Sequence, residues 1–206
     1  MKSLIVVGEG RALEQACETA RESGLDFIKL ELPSADRYNF DLSDLFKIYA
    51  AADADVFVAL DDRAVNYPRH KLLAEVRLAG YRLVNIVSPR AIVASGVSLL
   101  GNVYIGPGCN LANGCRIGLG SWLGQQVIIE TGANLGACTT LHAGVVLGHS
   151  VNIGKGTTLG CGSVVLAGSC IGSRCEWLLG GIVPAQLPNS SFYDAQMPAG
   201  ARILNN

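Results

Sequence analysis

The chain has 206 residues, of which half are apolar and only 16% are charged, with a formal net charge of −1. This composition can supply a sizeable core, so we expect a soluble globular protein with one large domain or two small ones. The near-neutral charge gives no basic surface for a nucleic-acid backbone, and no apolar run approaches the roughly 18 residues of a membrane span. We therefore expect neither nucleic acid nor a lipid bilayer as a partner.

The cysteines and the first residues of the chain point to a reducing compartment. There are seven cysteines, an odd number without a C-x-x-C pair. The apolar run at residues 4–7 is too short for the core of a signal peptide. We expect free thiols, no disulfides and a cytoplasmic protein.

The first 88 residues alternate between strand-like and helix-like patterns. In chain order they predict a strand at 4–7, a helix at 12–22, a strand at 27–32, a helix at 42–52, a strand at 56–60, a helix at 71–79 and a strand at 83–87. Strands that alternate with helices indicate a small parallel α/β domain. We place its end at Ser88, directly before Pro89, so the domains are expected at 1–88 and 89–206 with a short linker.

Two glycines, Gly8 and Gly10, lie between the first predicted strand and the first predicted helix. Backbone N–H groups at such a helix start can bind a phosphate. The third glycine of the dinucleotide-binding motif is replaced by Leu13. A phosphate-binding role and a simple tight turn therefore both stay open, and we carry the two glycines forward as candidate substrate-binding residues.

From Val93 the pattern changes to a repeat of six residues. Every sixth residue is a branched aliphatic, at Val93, Leu99, Ile105, Leu111, Ile117, Leu123, Ile129, Leu135, Leu141, Leu147, Ile153, Leu159, Val165 and Ile171. The residue four further on is small or β-branched in each repeat, and glycine is common one and three positions after the aliphatic residue. This period fits one short strand and one corner per repeat, with three repeats in each triangular coil of a parallel β-helix. The register is expected to fail after Ile171, where a terminal cap begins.

Histidine is the side chain best suited to proton transfer near pH 7. His149 lies at a predicted corner, pointing away from the core, and Ala167 lies one coil above it. His149 could act as a general base while the Ala167 N–H holds an oxyanion; the alternative is an exposed corner histidine without a task. His142 and His149 are the only histidines in the repeat, since His70 lies before it, so a three-histidine zinc site is not expected.

The order of parts and one motif resemble a known family. A short βαβ domain that ends in Asn85-Ile86-Val87-Ser88-Pro89 and runs directly into hexapeptide coils is similar to the bacterial sugar acyltransferases, which include sialic-acid O-acetyltransferases and UDP-amino-sugar N-acetyltransferases. The motif around the catalytic base of that family matches His142-Ala143-Gly144-Val145-Val146-Leu147-Gly148-His149-Ser150-Val151-Asn152-Ile153-Gly154. The resemblance covers nearly the whole chain.

The resemblance implies a Rossmann-like N-terminal domain followed by a left-handed parallel β-helix, and a homotrimer. It implies acetyl-CoA as acyl donor, a sugar or sugar nucleotide as acceptor, no metal, and a role in the biosynthesis of surface glycans. His149 takes the place of the base. Ala167 and Gly168 are then the expected donor-binding residues, and His142, Gly8, Gly10 and Thr158 the expected substrate-binding residues.

Several positions depart from the family pattern. Gly148 and Ser150 stand where the family has acidic residues beside the base, His142 replaces an asparagine, and Thr158 replaces a second histidine. These departures motivate an alternative in which the chain is a trimeric binding or scaffold protein that has lost catalysis.

Overall fold

The structure is a computed structural model that describes residues 2–202. Its N-terminal part is a parallel sheet of four strands in the order β2-β1-β3-β4. The elements in chain order are β1 (Ser3–Gly8), α1 (Gly10–Glu22), β2 (Phe27–Glu31), α2 (Ser43–Ile48), β3 (Ala54–Ala59), α3 (Tyr67–Leu78) and β4 (Arg82–Leu83), with a short 3₁₀ turn at Ala64–Asn66 before α3. We call this part the α/β unit. Its parallel sheet confirms what the alternation of strands and helices predicts.

Apolar spacing explains how the α/β unit packs. Helix α1 turns one side inward, where Ala12, Leu13, Ala16 and Ala20 are all buried against the central strands β1 and β3. Helices α2 and α3 cover the opposite side of the sheet. The last four residues of strand β1, from Ile5 to Gly8, are buried, as expected for a strand with helices on both faces.

The rest of the chain is a parallel β-solenoid of about six turns, which confirms the repeat architecture. It has three faces, each a sheet of short strands. We call them by their surroundings. The docked face, which lies under the α/β unit, contains β5 (Ile86–Val87), β8 (Tyr104–Ile105), β11 (Trp122–Leu123), β14 (Thr140–Leu141), β17 (Thr158–Leu159), β20 (Glu176–Trp177), β23 (Ser191–Tyr193) and the antiparallel β24 (Ala201–Arg202).

The other two faces are not covered by the α/β unit. The apolar face contains β6 (Ile92–Val93), β9 (Asn110–Leu111), β12 (Ile128–Ile129), β15 (Val146–Leu147), β18 (Ser163–Val165) and β21 (Gly181–Val183). The polar face contains β7 (Ser98–Leu99), β10 (Arg116–Ile117), β13 (Asn134–Leu135), β16 (Asn152–Ile153), β19 (Cys170–Ile171) and β22 (Gln186–Leu187).

Strands in neighbouring coils pair eighteen residues apart, for example Leu123 with Leu141 and Ile129 with Leu147. The aliphatic residue of each repeat therefore stacks on the same position of the next coil. Twelve of the fourteen predicted aliphatic positions are buried, while Val93 and Leu99 in the first coil are half-buried. The small residues four positions after each aliphatic residue fill the space between the aliphatic side chains. They include the buried thiols of Cys109 and Cys115.

The two glycine positions of the repeat have different physical causes. Three residues after the aliphatic position the backbone is left-handed, as at Gly162 with φ of +67° and open space around its Cα. One residue after the aliphatic position the next coil is too close for a side chain. A Cβ on Gly136 would lie 2.5 Å from the backbone nitrogen of Lys155.

Three expectations need correction. The register continues past Ile171, because Trp177 and Val183 still pair eighteen residues from Leu159 and Val165. It shifts only beyond Val183, where Pro184 allows a shorter corner and Ile171 pairs with Leu187 instead.

The predicted strand at 83–87 is two strands, since β4 joins the α/β unit while β5 pairs with β8 of the solenoid. The predicted helix at 42–52 ends at Ile48. There the Tyr81 hydroxyl donates toward the carbonyls of Leu45 and Tyr49, at 3.4 and 2.5 Å. These last carbonyls of the helix thus have a hydrogen-bond partner.

Candidate functional site

The α/β unit packs on a column of outward-facing residues of the docked face. Near the start of the solenoid this contact is apolar, because Tyr104 and Trp122 stack with ring centroids 4.0 Å apart beneath helix α1. The Asn102 side chain also bonds to both backbone groups of Val58 in strand β3. The two parts of the chain therefore share one interface with a defined geometry.

Further along the column the interface becomes polar, and it is organised by a buried arginine. Arg69 on helix α3 is only 1% exposed, and its guanidinium donates to Thr140 Oγ1 at 2.5 Å, to Asn66 Oδ1 and to the carbonyl of Leu60. Burial lowers the pKa of this guanidinium, but an arginine remains charged in proteins. Its Nε lacks a partner among the described residues.

A cavity of about 400 Å³ opens beside Arg69 between the α/β unit and the solenoid. Helix α1 contributes Arg11 and Gln15, and the segment after strand β3 contributes Asp61 and Asp62. The solenoid supplies the remaining wall, mainly Trp122, Gln125, His142 and Cys161. The wall combines aromatic surface with charged groups of both signs, which suits a polar ligand that also has a flat or apolar part.

His142 and Asp62 meet in this cavity. His142 Nε2 lies 2.8 Å from Asp62 Oδ2, and the two side chains are 35% and 28% exposed. Burial raises the pKa of Asp62, but the hydrogen bond and charge of His142 outweigh it, and the net pKa is lowered. Asp62 is therefore a carboxylate at neutral pH, and it holds the imidazole in one orientation.

The repeat itself makes room around His142. His142 occupies the corner position directly after the aliphatic residue, at the edge between the docked and apolar faces. The same position holds Gly124 in the coil below and Gly160 in the coil above. A single side chain between two glycines leaves space along the edge, and Gly124 lines the cavity.

His149 lies on a different edge, between the apolar and polar faces, and is exposed. Its backbone N–H donates to Glu130 Oε2 at 3.0 Å. Glu130 stands one coil below Gly148, so it brings a carboxylate to the neighbourhood of His149 where the flanking positions have none. His142 and His149 sit at opposite ends of strand β15 and do not share a cavity within one chain.

Ala167 and Gly168 are exposed on the same edge as His149, one coil above it. The Gly168 N–H donates to the His149 carbonyl at 2.9 Å. This hydrogen bond joins the corner of His149 to the corner of Gly168 in the next coil. The Ala167 N–H donates to no acceptor among residues 2–202, and its nitrogen lies close above Gly148. The role of this N–H as an oxyanion donor stays a prediction.

The remaining candidates are placed apart from the cavity wall. Gly8 packs tightly on strand β3, where a Cβ would collide with the carbonyl of Ala59. Gly10 is exposed at the start of helix α1, next to Arg11 of the cavity. Thr158 is 1% exposed and its hydroxyl accepts from Asn66 Nδ2 at 3.1 Å, so in this chain it supports the interface beside Arg69.

Sequence reasoning missed Asp62, Arg69 and Glu130. Glu130 could have been found from the eighteen-residue coil, which stacks it under Gly148. Asp62 and Arg69 reach the site through the docking of the α/β unit, and the repeat carries no signal for that contact.

Neither a metal site nor a membrane helix is present in the described part of the chain. No group of three or more His, Cys, Asp or Glu side chains in residues 2–202 is arranged to hold a metal ion. The helices within those residues are too short or too polar to span a bilayer. All seven cysteines are free thiols.

The arrangement of a β-solenoid with a docked α/β unit is similar to that of solved acetyltransferases. A histidine-to-alanine variant of GDP-perosamine N-acetyl transferase from Caulobacter crescentus, in complex with CoA and GDP-perosamine, is 27% identical, with 93% of each chain covered and a TM-score of 0.64. PerB from Caulobacter crescentus, with the same ligands, is 22% identical over 93% of each chain, with a TM-score of 0.53.

A third neighbour is the acetyltransferase domain of PglB from Neisseria gonorrhoeae, 15% identical over 92% of this chain and 97% of that one, with a TM-score of 0.53. The neighbours below 25% identity support the fold alone. No protein-family model matches the chain, and no curated protein sequence matches it. The structural neighbours are sugar N-acyltransferases of the hexapeptide-repeat family, so the resemblance predicted from the sequence is confirmed.

Proposed function

We propose that the protein is an acetyl-CoA-dependent acetyltransferase that modifies an amino or hydroxyl group of a nucleotide-linked sugar in the biosynthesis of a bacterial surface glycan. One observation carries the proposal. The chain shares its whole architecture with a GDP-perosamine N-acetyl transferase in complex with CoA and GDP-perosamine, and it has a polar cavity between its two parts. The cavity would bind the sugar nucleotide. The group that accepts the acetyl would lie against His142, and the phosphates would lie near Gly10 at the start of helix α1.

The outward-facing residues of the apolar face support a homotrimer. In coil order they are Ile92, Asn110, Ile128, Val146, Val164 and Ile182, and the three isoleucines are 68%, 44% and 66% exposed. The corresponding column of the polar face is Ser98, Arg116, Asn134, Asn152, Cys170 and Gln186. An exposed apolar stripe on one face only, interrupted at Asn110, fits an interface between copies of the chain.

A three-fold arrangement of apolar faces would also complete the active site. When three copies of one face surround an axis, the left edge of each copy meets the right edge of the next. The edge that holds His142 and the cavity would then meet the edge of a neighbour that holds His149 and Ala167. In the proposed reaction His149 of one subunit accepts the proton of the attacking group, while the Ala167 N–H stabilises the oxyanion and Gly168 lines the donor site.

We further propose the finer assignments that the resemblance implies. These are a Rossmann-like sugar-nucleotide domain at 1–88 and a left-handed β-helix with its cap at 89–206, although strand β5 at the end of the first range already pairs with the solenoid. A cytoplasmic location is the third, and the seven free thiols support it. The strand order β2-β1-β3-β4 with helices between parallel strands supports the Rossmann-like assignment.

Acetyl transfer tests the proposal directly. Purified protein is incubated with acetyl-CoA and a panel of GDP-, UDP- and dTDP-linked 4-amino sugars and their hydroxyl counterparts, and release of the CoA thiol is followed. We expect turnover with at least one acceptor and a loss of about 100-fold or more in His149→Ala. His70→Ala, an exposed histidine on helix α3, is the matched control. Equal activity in His149→Ala would refute the role given to His149.

The alternative is a trimeric binding protein without catalysis. Gly148 and Ser150, which replace acidic residues of the family motif, favour it. Calorimetry separates the two, because a scaffold that has lost catalysis need not bind acetyl-CoA, whereas the enzyme must. Binding together with a thiol-release signal supports the enzyme.

A further inference from the structure

The His142–Asp62 pair leaves one ring nitrogen unused. An Nε2–H donated to the Asp62 carboxylate leaves Nδ1 with a free lone pair. No hydrogen bond involves Nδ1 among the residues that the structure describes. The ring is partly exposed and lines the cavity, and a carboxylate that holds an imidazole in this way also stabilises the imidazolium formed on protonation.

The other charged groups around the cavity do not compete for this task. Arg11 and Arg69 cannot accept a proton. Asp61 is held in an ion pair by Arg63 at 2.5 Å. Cys161 is an exposed thiol on the solenoid wall. The pair is therefore the group in the cavity best placed to accept a proton.

An amine acceptor requires the removal of two protons. Near pH 7 an alkyl amine is mostly R–NH₃⁺. The product amide keeps one proton on nitrogen, so two of the three must leave. One ends on CoA sulfur, because the C–S bond breaks with its electron pair on sulfur, and the other goes to solvent. A hydroxyl acceptor loses only one proton, and a single base is enough for it.

We propose that His142, oriented by Asp62, is a second base that deprotonates an ammonium group of the acceptor, and that the acceptor is therefore an amino sugar. This deepens the proposed function and rests on it. An N–H bond of the ammonium breaks, its electron pair stays on nitrogen, and the proton binds His142 Nδ1. The freed lone pair attacks the thioester carbon, and the C–S bond breaks. The second proton passes through His149 of the neighbouring subunit to sulfur, and His142 releases its proton to solvent. Asp62 is a positioning residue in this scheme.

The pH dependence of variants that lack the proposed base or its carboxylate partner tests the proposal. The value of kcat/KM for GDP-perosamine, or for the best amino acceptor of the panel, is measured from about pH 6 to about pH 9 in wild type, His142→Asn, Asp62→Asn and the double variant, with His70→Asn as control. We expect His142→Asn to lose about 100-fold near pH 6.5. The loss should shrink as pH rises, because more of the amine then arrives without its extra proton.

Asp62→Asn should follow the same trend with a smaller loss, and the double variant should be no worse than His142→Asn alone, because Asp62 acts through His142. Wild type should also prefer each amino sugar to its hydroxyl counterpart. A loss that is constant with pH, no loss, or a preference for hydroxyl acceptors overturns the proposal. Wild type that acetylates no member of the panel contradicts the proposed function instead. Circular dichroism spectra of the variants separate misfolding from these outcomes.

Discussion

Glu130 places a carboxylate next to the corner of His149, where the two residues beside His149 have none. Its carboxylate accepts the backbone N–H of His149 from the coil below, and so it fixes the corner that carries the proposed base. We expect Glu130→Ala to lower kcat by roughly tenfold with little change in KM, because a looser corner misplaces the imidazole. Glu130→Gln keeps an acceptor oxygen and should recover most of the activity. Glu18→Ala, an exposed carboxylate on helix α1, is the control, and an equal loss in both Glu130 variants would contradict a positioning role.

Arg69 stabilises the interface above the cavity because several acceptors depend on one guanidinium. Its replacement by methionine removes a donor from Thr140 Oγ1 and from the Leu60 carbonyl in a buried site, and it leaves Asn66 Oδ1 with the Thr140 hydroxyl alone. We expect Arg69→Met to lower the free energy of unfolding by about 3 kcal/mol, measured by urea denaturation. Arg77→Met lies on the exposed side of the same helix and should change it by less than about 0.5 kcal/mol. Similar values for both variants would show that the buried donors are dispensable.

At the residue scale the six-residue repeat predicts which residues lie at corners, and it carries no signal for residues that reach the cavity through docking of the α/β unit. His142 and His149 were found because the six-residue period places them at corners. Asp62 lies eighty residues before its partner His142, and its position depends on how the α/β unit packs. A contact of that kind has no local pattern in the sequence.

At the scale of the repeat, the two glycine columns should respond differently to the same change. An alanine side chain at Gly162 would have no atom within 4 Å. Its only effect is strain in the left-handed backbone, which lowers the free energy of unfolding by about 1 kcal/mol. An alanine at Gly136 meets the backbone of Lys155 at 2.5 Å, and the stacked coil cannot move away. We expect Gly136→Ala to cost about 3 kcal/mol in urea unfolding. Equal losses of stability in the two variants would mean that coil spacing does not explain the glycine directly after each aliphatic residue.

Elements that follow a local period were predicted well, and their ends were not. The aliphatic positions of the solenoid follow directly from the six-residue period, since each strand and corner is encoded within a single repeat. Helix α2 ends early because the hydroxyl of Tyr81, far along the chain, takes its terminal carbonyls. The shift beyond Val183 depends on a corner with Pro184 that is two residues shorter than the repeat.

At the scale of the whole molecule, the Asp62–His142 contact joins the α/β unit to the solenoid and should make their association sensitive to acid. The pKa of Asp62 is lowered in the folded chain, so the carboxylate contributes stability above the ordinary aspartate pKa of about 3.9 and loses it as pH falls through the lowered value. We expect wild type to be more stable than Asp62→Asn near neutral pH, and the difference to shrink as pH falls below about 4. Urea unfolding of both proteins across this range measures it, and a difference independent of pH would contradict the linkage.

The assembly of the molecule decides whether His149 can act on the cavity at all. Within one chain the two lie on different edges, so the proposed enzyme works only if copies of the apolar face meet around a three-fold axis. A lysine at Ile128, in the middle of the exposed apolar stripe, would place a charge in that contact, which is costly to bury without a partner. We expect Ile128→Lys to give monomers in size-exclusion chromatography with light scattering, and to lose acetyl transfer while the chain stays folded by circular dichroism.

Asn134→Lys puts the same charge in the next strand of the same coil, on the polar face, and should remain a fully active trimer. The two variants differ in the face they change, and their comparison isolates the interface from the charge. Monomeric Ile128→Lys protein with full activity would show that each chain is a complete enzyme, and the base would then have to be sought in the cavity itself, at His142. If Ile128→Lys remains trimeric, the apolar stripe is not the interface and another face brings the copies together.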